Sequence, residues 1–118
     1  MRIAVAASGR ELTSEIDDRF GRAPWFLIVD TSTGDLEAIE NDGAEQMSGA
    51  GPKAAQILAS REVDCLVAAH CGPNAFAALA AHGIDVIVAP KTSVADAIEQ
   101  VKSGRLSPTA QPDVKGHW

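Results

Sequence analysis

The sequence predicts a single α/β domain on a mixed five-stranded sheet, with the element order β-β-β-α-β-α-β-α. Four short apolar runs end at Gly, Pro, His or Asp, and a fifth, weaker run alternates between apolar and polar residues. Three longer stretches repeat apolar residues at helical spacing. At 118 residues and 46% hydrophobic, the chain is long enough for one compact core and too short for two.

The five strands are expected in two groups. The first three cover residues 3–7, 25–29 and 36–40, and the turn-forming residues 30–35 predict a hairpin between the second and the third. Alternation in the third strand predicts that one of its faces is exposed. The other two strands cover residues 65–69 and 86–89, each between two helices.

Helices are expected over residues 52–61, 73–82 and 94–102. Proline suits the first helical turn because its missing N–H would have no intrahelical partner there, and a capping box opens the third helix. The expected boundary residues are Gly51 and Pro52, Gly72 and Pro73, Ser93 and Asp96, with Gly83 and Gly104 as C-terminal stops.

This element order predicts where a ligand binds. The hairpin returns the third strand parallel to the first, and the helical crossovers keep the later strands parallel as well. All three helices then begin at one edge of the sheet, where open α/β sheets bind their ligands. That edge is expected to collect residues 8–22, 47–53, 70–74 and 90–93.

A thiol and an imidazole, Cys71 and His70, lie at the junction of the fourth strand and the second helix. The positive end of a helix favours a thiolate, and thiolate and imidazole together suit copper, zinc and iron–sulfur centres. We expect Cys65 in the core and Cys71 outside it. Two ligands are too few for a closed zinc site, so a metal would be held through an exogenous cluster, a second subunit or an open site. The alternative is a small polar turn whose cysteine only packs.

Two further segments suit an anion. Arg19 and Arg22 could reach an anion while Phe20 anchors their loop, or both could be solvated surface charges. The glycine-rich residues 48–53 let a ligand approach the backbone closely, but they match neither a Walker loop nor the dinucleotide fingerprint. The alternative here is a tight helix entry with an exposed Lys53.

Composition excludes several classes of function. A formal net charge of −6 argues against a nucleic-acid surface. The N-terminus has too few consecutive apolar residues for a signal peptide or membrane span, which predicts a cytoplasmic protein. The first strand carries no carboxylate for two-metal nuclease chemistry, and no serine lies in a nucleophile elbow.

Three segments carry a resemblance to a known family: Arg19-Phe20-Gly21-Arg22-Ala23-Pro24-Trp25, Gly49-Ala50-Gly51 and Cys71-Gly72-Pro73-Asn74-Ala75. Over residues 1–107 the chain resembles the nitrogenase accessory factor family, also called the dinitrogenase iron–molybdenum cofactor biosynthesis family. The resemblance implies a three-layer ribonuclease-H-like motif without that enzyme's active site. It also implies binding or carrying of iron–sulfur or molybdenum-containing clusters.

We therefore expect one domain over residues 1–107, a loosely ordered tail over 108–118, and a non-enzymatic cluster carrier. Cys71 and His70 are the expected metal ligands, and the helix N-termini at Gly51, Gly72 and Ser93 are expected to supply N–H groups. The other expected contacts are Arg19, Phe20, Gly21, Arg22, Gly49, Lys53 and Asn74. Expected partners are cluster donor or acceptor proteins, with the chain a monomer or homodimer. The alternatives are an adaptor domain that binds a protein without metal, and a thiol enzyme using Cys71.

Overall fold

A computed structural model describes residues 1–18, 20–41 and 50–109. Its elements are β1 Arg2–Ala7, β2 Trp25–Asp30, β3 Leu36–Glu40, α1 Ala50–Ser60, β4 Cys65–Ala68, α2 Pro73–Ala81, β5 Asp85–Val88 and α3 Val94–Lys102. A short 3₁₀ helix, Phe20–Arg22, precedes β2 and is called the arginine turn below. The predicted element order is confirmed.

The strands form one mixed sheet in the order β3-β2-β1-β4-β5, with β1 at its centre. β2 runs antiparallel to both β1 and β3, whereas β4 runs parallel to both β1 and β5. The carboxyl ends of β1, β4 and β5 therefore lie at one edge of the sheet, called the carboxyl edge below. The antiparallel pairing of β2 with β1 brings the start of β2 to this edge too, since Trp25 lies opposite Ala7.

Alternate side chains of β1 enter two separate cores, because successive side chains of a strand point to opposite faces. Ala4 and Ala6 pack with α1, α2 and the arginine turn, in what we call the α1–α2 core. Ile3, Val5 and Ala7 pack with α3, in what we call the α3 core. The sheet therefore lies between two helical layers, as the three-layer expectation requires.

The helix boundaries agree with the predicted ones to within one residue, except that α1 begins at Ala50 rather than Pro52. Glu62, just after α1, has a φ of 58°, a left-handed conformation that favours glycine and that no local signal announced. Gly83 and Gly104 have φ values of 72° and 79°, which confirms them as C-terminal stops.

The capping box of α3 forms only in part. Ser93 Oγ accepts a hydrogen bond from the Asp96 amide at 3.1 Å. The Asp96 carboxylate accepts from the Thr92 hydroxyl at 3.2 Å, on the residue before the cap.

The connection after β1, which we call the edge loop (residues 8–18), has regular pairing of its own. Ile16 forms a bridge to Ala7, and Glu15 forms one to Ser93. The edge loop thereby joins the end of β1 to the start of α3. This part of the long connection therefore belongs to the scaffold.

After α3 the chain returns to β5, where the Thr109 amide donates to the Val86 carbonyl at 2.7 Å. Residues 110–118, most of the expected tail, lie outside the described residues. Within the described ranges, no helix combines the length and the apolar character needed to cross a bilayer.

Candidate ligand-binding edge

The amino end of α3 is closed by the protein itself. The amides of Val94 and Ala95 donate to the carbonyls of Ser14 and Leu12 at 2.8 and 3.0 Å. The next amide is capped by Ser93 Oγ, as described above. These are three of the N–H groups that a helix leaves unpaired at its start, so few donors remain there for a ligand. The expectation that the helix N-terminus at Ser93 supplies N–H groups to a ligand is wrong.

The amino end of α2 differs in each of these respects. Its N-cap, Gly72, has no side chain to cap it, Pro73 has no N–H, and the first turn contains no acidic residue. Within the described part of the chain, no oxygen accepts from the amides of Asn74 and Ala75. This end of α2 therefore keeps both its N–H donors and the positive end of its dipole.

The backbone of Gly72 has φ −79° and ψ 173°, an extended conformation that any residue adopts. The backbone at this junction therefore makes no turn that requires glycine. Gly72 is buried, whereas the neighbouring Asn74 side chain is exposed.

The thiol of Cys71 lies inside the protein. Its exposed fraction is 0%, it belongs to the α1–α2 core, and its Sγ lies 3.8 Å from the Gly72 carbonyl oxygen. The expectation that Cys71 lies outside the core is wrong, because its side chain packs among the buried residues of the α1–α2 core. His70, the preceding residue, is half-buried.

Cys65 is buried in the α3 core, as predicted. Burial, followed by the negative charges of Asp64 and Asp85, raises the pKa of its thiol from 9.0 to about 11. The Cys65 thiol is therefore protonated at neutral pH and has little nucleophilic or metal-binding character.

Metal donors are sparse at this edge. No three His, Cys, Asp or Glu side chains converge anywhere in the described ranges. A structural zinc site uses four ligands and a catalytic one three, so the donor set does not fit a resident metal ion. A preassembled anion, which needs N–H donors and cations more than metal ligands, fits it better.

The arginine turn stands beside α1 at the same edge. Phe20 is fully buried, and its ring packs against that of Phe26 with the centroids 5.5 Å apart. The side chain therefore anchors the turn, as predicted, and lies in the core rather than on a ligand-facing surface. Gly21 is buried and Arg22 is half-buried, so the turn brings one described arginine to the carboxyl edge.

A buried asparagine that the sequence analysis did not single out holds this turn. The Asn41 side-chain amide donates to the carbonyls of Gly21 and Ala23, at 3.1 and 2.9 Å. Its partners lie 20 and 18 residues earlier in the chain, so no local pattern could have identified it. The same is true of Leu12 and Ser14, whose carbonyls close α3.

Among the other cations near this edge, two contact another side chain and one is an exposed lysine. Arg10 stacks over Trp25 at 5.3 Å, and Lys91 forms an ion pair with Asp18 at 3.3 Å. Lys53 is exposed near the start of α1, whose first turn includes Gly51. Arg19 and Gly49 lie outside the described residues.

Comparison with known proteins agrees with this architecture. A protein of Methanocaldococcus jannaschii, described as uncharacterized, is 31% identical over 109 residues, covering 90% of this chain and 89% of its own. The apo form of the orange protein from Desulfovibrio gigas superposes with a TM-score of 0.93 at 37% identity, covering 96% of each chain. A putative NifB protein from Thermotoga superposes with a TM-score of 0.82, also at 37% identity, covering 96% of this chain and 98% of its own.

The family described as "Dinitrogenase iron-molybdenum cofactor" matches residues 1–104. The match spans every strand and helix described above, including the arginine turn and the junction at Cys71. The likeness to the orange protein extends over the same architecture. The chain therefore belongs to the dinitrogenase iron–molybdenum cofactor family.

Proposed function

We propose that this chain is a non-enzymatic protein that binds an anionic metal–sulfur cluster, of the iron–sulfur or molybdenum-containing kind, as cargo during cofactor assembly or a related process. Membership of the dinitrogenase iron–molybdenum cofactor family supports the nature of the cargo. The orange protein is known in an apo form, so the likeness to it supports the proposal that this chain takes up a ligand.

The observation that carries the proposal is the unsatisfied amino end of α2. Two backbone amides without an acceptor in the described residues, at a helix end with no acidic side chain, favour an anion. Clusters whose terminal ligands are sulfide or oxide carry negative charge, and such atoms accept hydrogen bonds from backbone N–H groups.

The surrounding cations support the same assignment. Arg22 on the arginine turn and Lys53 on α1 belong to elements that pack on the α1–α2 core, the side on which α2 begins. In this proposal they neutralise the charge of the cargo, as Arg19 does from outside the described residues. Gly21, Gly49 and Gly51 are the proposed backbone contacts of the cargo in the same segments.

His70 and Cys71 are the proposed direct ligands. The imidazole of His70 is half-buried and adjoins the α2 amides in sequence. The Cys71 sulfur must leave the α1–α2 core to bond a metal, whereas the amides and Arg22 hold an anion without that change. Cys71 is therefore proposed as a second contact, formed after the cargo has docked.

Anaerobic reconstitution of the reduced protein with ferrous iron, sulfide and molybdate tests the proposal. After desalting, the wild type is expected to retain metal and to show visible absorption. Arg22→Ala is expected to retain less, and Arg61→Ala is the matched control, because Arg61 pairs with Glu37 at 2.6 Å away from the carboxyl edge. A wild type that leaves the column colourless and free of metal would overturn the proposed function.

The same preparation decides the part played by Cys71. Loss of retained metal in Cys71→Ala, in a variant whose urea unfolding matches that of the wild type, would support a bond to sulfur. Full retention would mean that the cargo is held by the amides and cations alone, and would remove Cys71 from the proposed ligands.

A further inference from the structure

We infer that Asn41 is a positioning residue: its side-chain amide fixes the carbonyl groups of the residues before and after Arg22, and thereby sets where the guanidinium stands at the carboxyl edge. This inference rests on the proposed function in one respect, since Arg22 is one of the cations proposed to hold the cargo. The fixing of the backbone itself stands on the hydrogen bonds alone.

The geometry of Asn41 is specific to a side-chain amide. Nδ2 donates to the Gly21 carbonyl at 3.1 Å and to the Ala23 carbonyl at 2.9 Å. Both partners are acceptors, so the group that serves them together must donate two hydrogens, as the NH₂ of an amide does. Gly21 and Ala23 are the residues before and after Arg22, which is therefore held from both sides.

Asn41 is itself firmly placed. Its backbone N–H donates to the Pro24 carbonyl at 3.0 Å, directly after the last residue of β3. Its exposed fraction is 6%, and it is the one polar residue that the described ranges bury. Burying an amide costs free energy unless its hydrogen bonds are made, so the contacts with the turn compensate for its position.

Phe20 holds the turn from the core side while Asn41 holds it from the sheet. The Phe20 ring packs against Phe26, and the Ala23 amide donates to the Phe20 carbonyl at 3.4 Å. Arg22 is thus the half-buried member of a turn whose other residues are buried. A long side chain that starts from a fixed backbone loses less conformational entropy when it binds, so the fixed turn favours affinity.

The first test needs no ligand. Asn41→Leu keeps a similar shape but removes both donors, so the Ala23 amide is expected to exchange its hydrogen about tenfold faster relative to the Val5 amide of β1. Asn41→Asp is expected to show a smaller effect at acidic pH, where the protonated carboxyl regains one donor. The exchange ratio to Val5 cancels the intrinsic dependence on pH. An unchanged ratio in both variants would overturn the inference.

The second test asks whether Asn41 acts through Arg22. In the reconstitution with ferrous iron, sulfide and molybdate, Asn41→Leu is expected to lower affinity for the retained metal about tenfold. In an Arg22→Ala background it is expected to have no further effect, since the side chain that it positions is gone. Independent, multiplicative effects of the two substitutions would overturn the action through Arg22.

The two tests separate this inference from the proposed function. A wild type that retains no metal would refute cluster binding, while the exchange ratio would still decide whether Asn41 fixes the turn. A wild type that retains metal, with an unchanged exchange ratio in both Asn41 variants, would refute the inference and leave the proposed function standing.

Discussion

The amino ends of α2 and α3 lie at the same edge of one sheet, but they differ in how far the protein satisfies their N–H groups and balances their helix dipole. α3 begins with a serine cap, carries Asp96 in its first turn and has amides bonded to the edge loop. α2 begins with a glycine and a proline, and has no acidic residue in its first turn. Two helices that begin at the same edge therefore differ in whether their positive ends are already neutralised. This difference favours binding of an anion on the α1–α2 side of the sheet.

The largest expected effect comes from the two side chains that anchor the connection between β1 and β2. Ile16 anchors the edge loop in the α3 core and Phe20 anchors the arginine turn in the α1–α2 core, both fully buried. Ile16→Ala and Phe20→Ala should each lower the free energy of unfolding by about 3 kcal/mol, measured by urea denaturation.

Metal retention distinguishes these two anchors when it is measured well below the melting temperature. Retention should fall in Phe20→Ala and stay near wild type in Ile16→Ala. Phe20→Leu, which preserves most of the apolar volume, should behave more like wild type in both measurements. Equal loss of retention in both alanine variants would break the comparison, because it would make the α3 side part of the site.

Each of the two cores contains one thiol, Cys71 in the α1–α2 core and Cys65 in the α3 core. The α3 core can therefore be probed at alkaline pH through Cys65. The pKa of Cys65 is raised from 9.0 to about 11 in the folded state, so the folded state holds this proton more tightly than the unfolded state. The resulting stability is present below pH 9 and is lost as the pH rises through 11.

Between pH 9 and pH 11, the Cys65 contribution to the free energy of unfolding should fall by about 2 kcal/mol. The measurement is urea denaturation of wild type and Cys65→Ala across this range, and the difference between the two should shrink with pH. A difference that stays constant would show that the folded state does not shift the pKa of Cys65.

A charge placed at α2 should affect stability and binding in opposite directions. Asn74→Asp adds a negative charge at the positive end of the helix dipole, which should raise stability by about 0.5 kcal/mol. The same charge repels an anionic cargo and should weaken metal retention about tenfold. Asn74→Ala is the control without charge, and retention equal to wild type in Asn74→Asp would mean that the cargo does not approach this helix end.

The smallest effect on metal retention is expected at α3. Ser93→Ala removes the cap and should lower the free energy of unfolding by about 1 kcal/mol, while metal retention stays unchanged. Ser93→Thr, which can still cap, should restore stability. A clear loss of retention in Ser93→Ala, at a temperature where the variant is folded, would reopen α3 as a ligand site.

Most of the scaffold could be predicted because its signals are local. Apolar runs located all five strands, the turn formers at residues 30–35 located the hairpin, and Gly83 and Gly104 marked where helices end. Each of these signals acts within a few residues of the structure that it specifies. Glu62 is an exception, since its left-handed conformation follows from how α1 joins β4 rather than from its own preference.

The candidate site was less predictable, because its decisive contacts join distant residues. Ser93 was correctly identified as a cap, but the carbonyls of Leu12 and Ser14 that complete the closure of α3 lie 80 or more residues before the amides that they accept from. The exposure of Cys71 was inferred from its place at a helix end, yet packing turned its sulfur inward. Asn41 was indistinguishable from an ordinary turn residue.

By itself, the sequence determined the family, the order of the elements and the edge at which the helices begin, because periodicity, glycine and proline act through the local backbone. Only the tertiary structure decided which helix end is left unsatisfied, that the Cys71 thiol is buried as well as the Cys65 thiol, and which side chain holds the arginine turn. Those outcomes depend on hydrogen bonds and packing between segments far apart in the chain, and such contacts exist only once the sheet has brought the segments together.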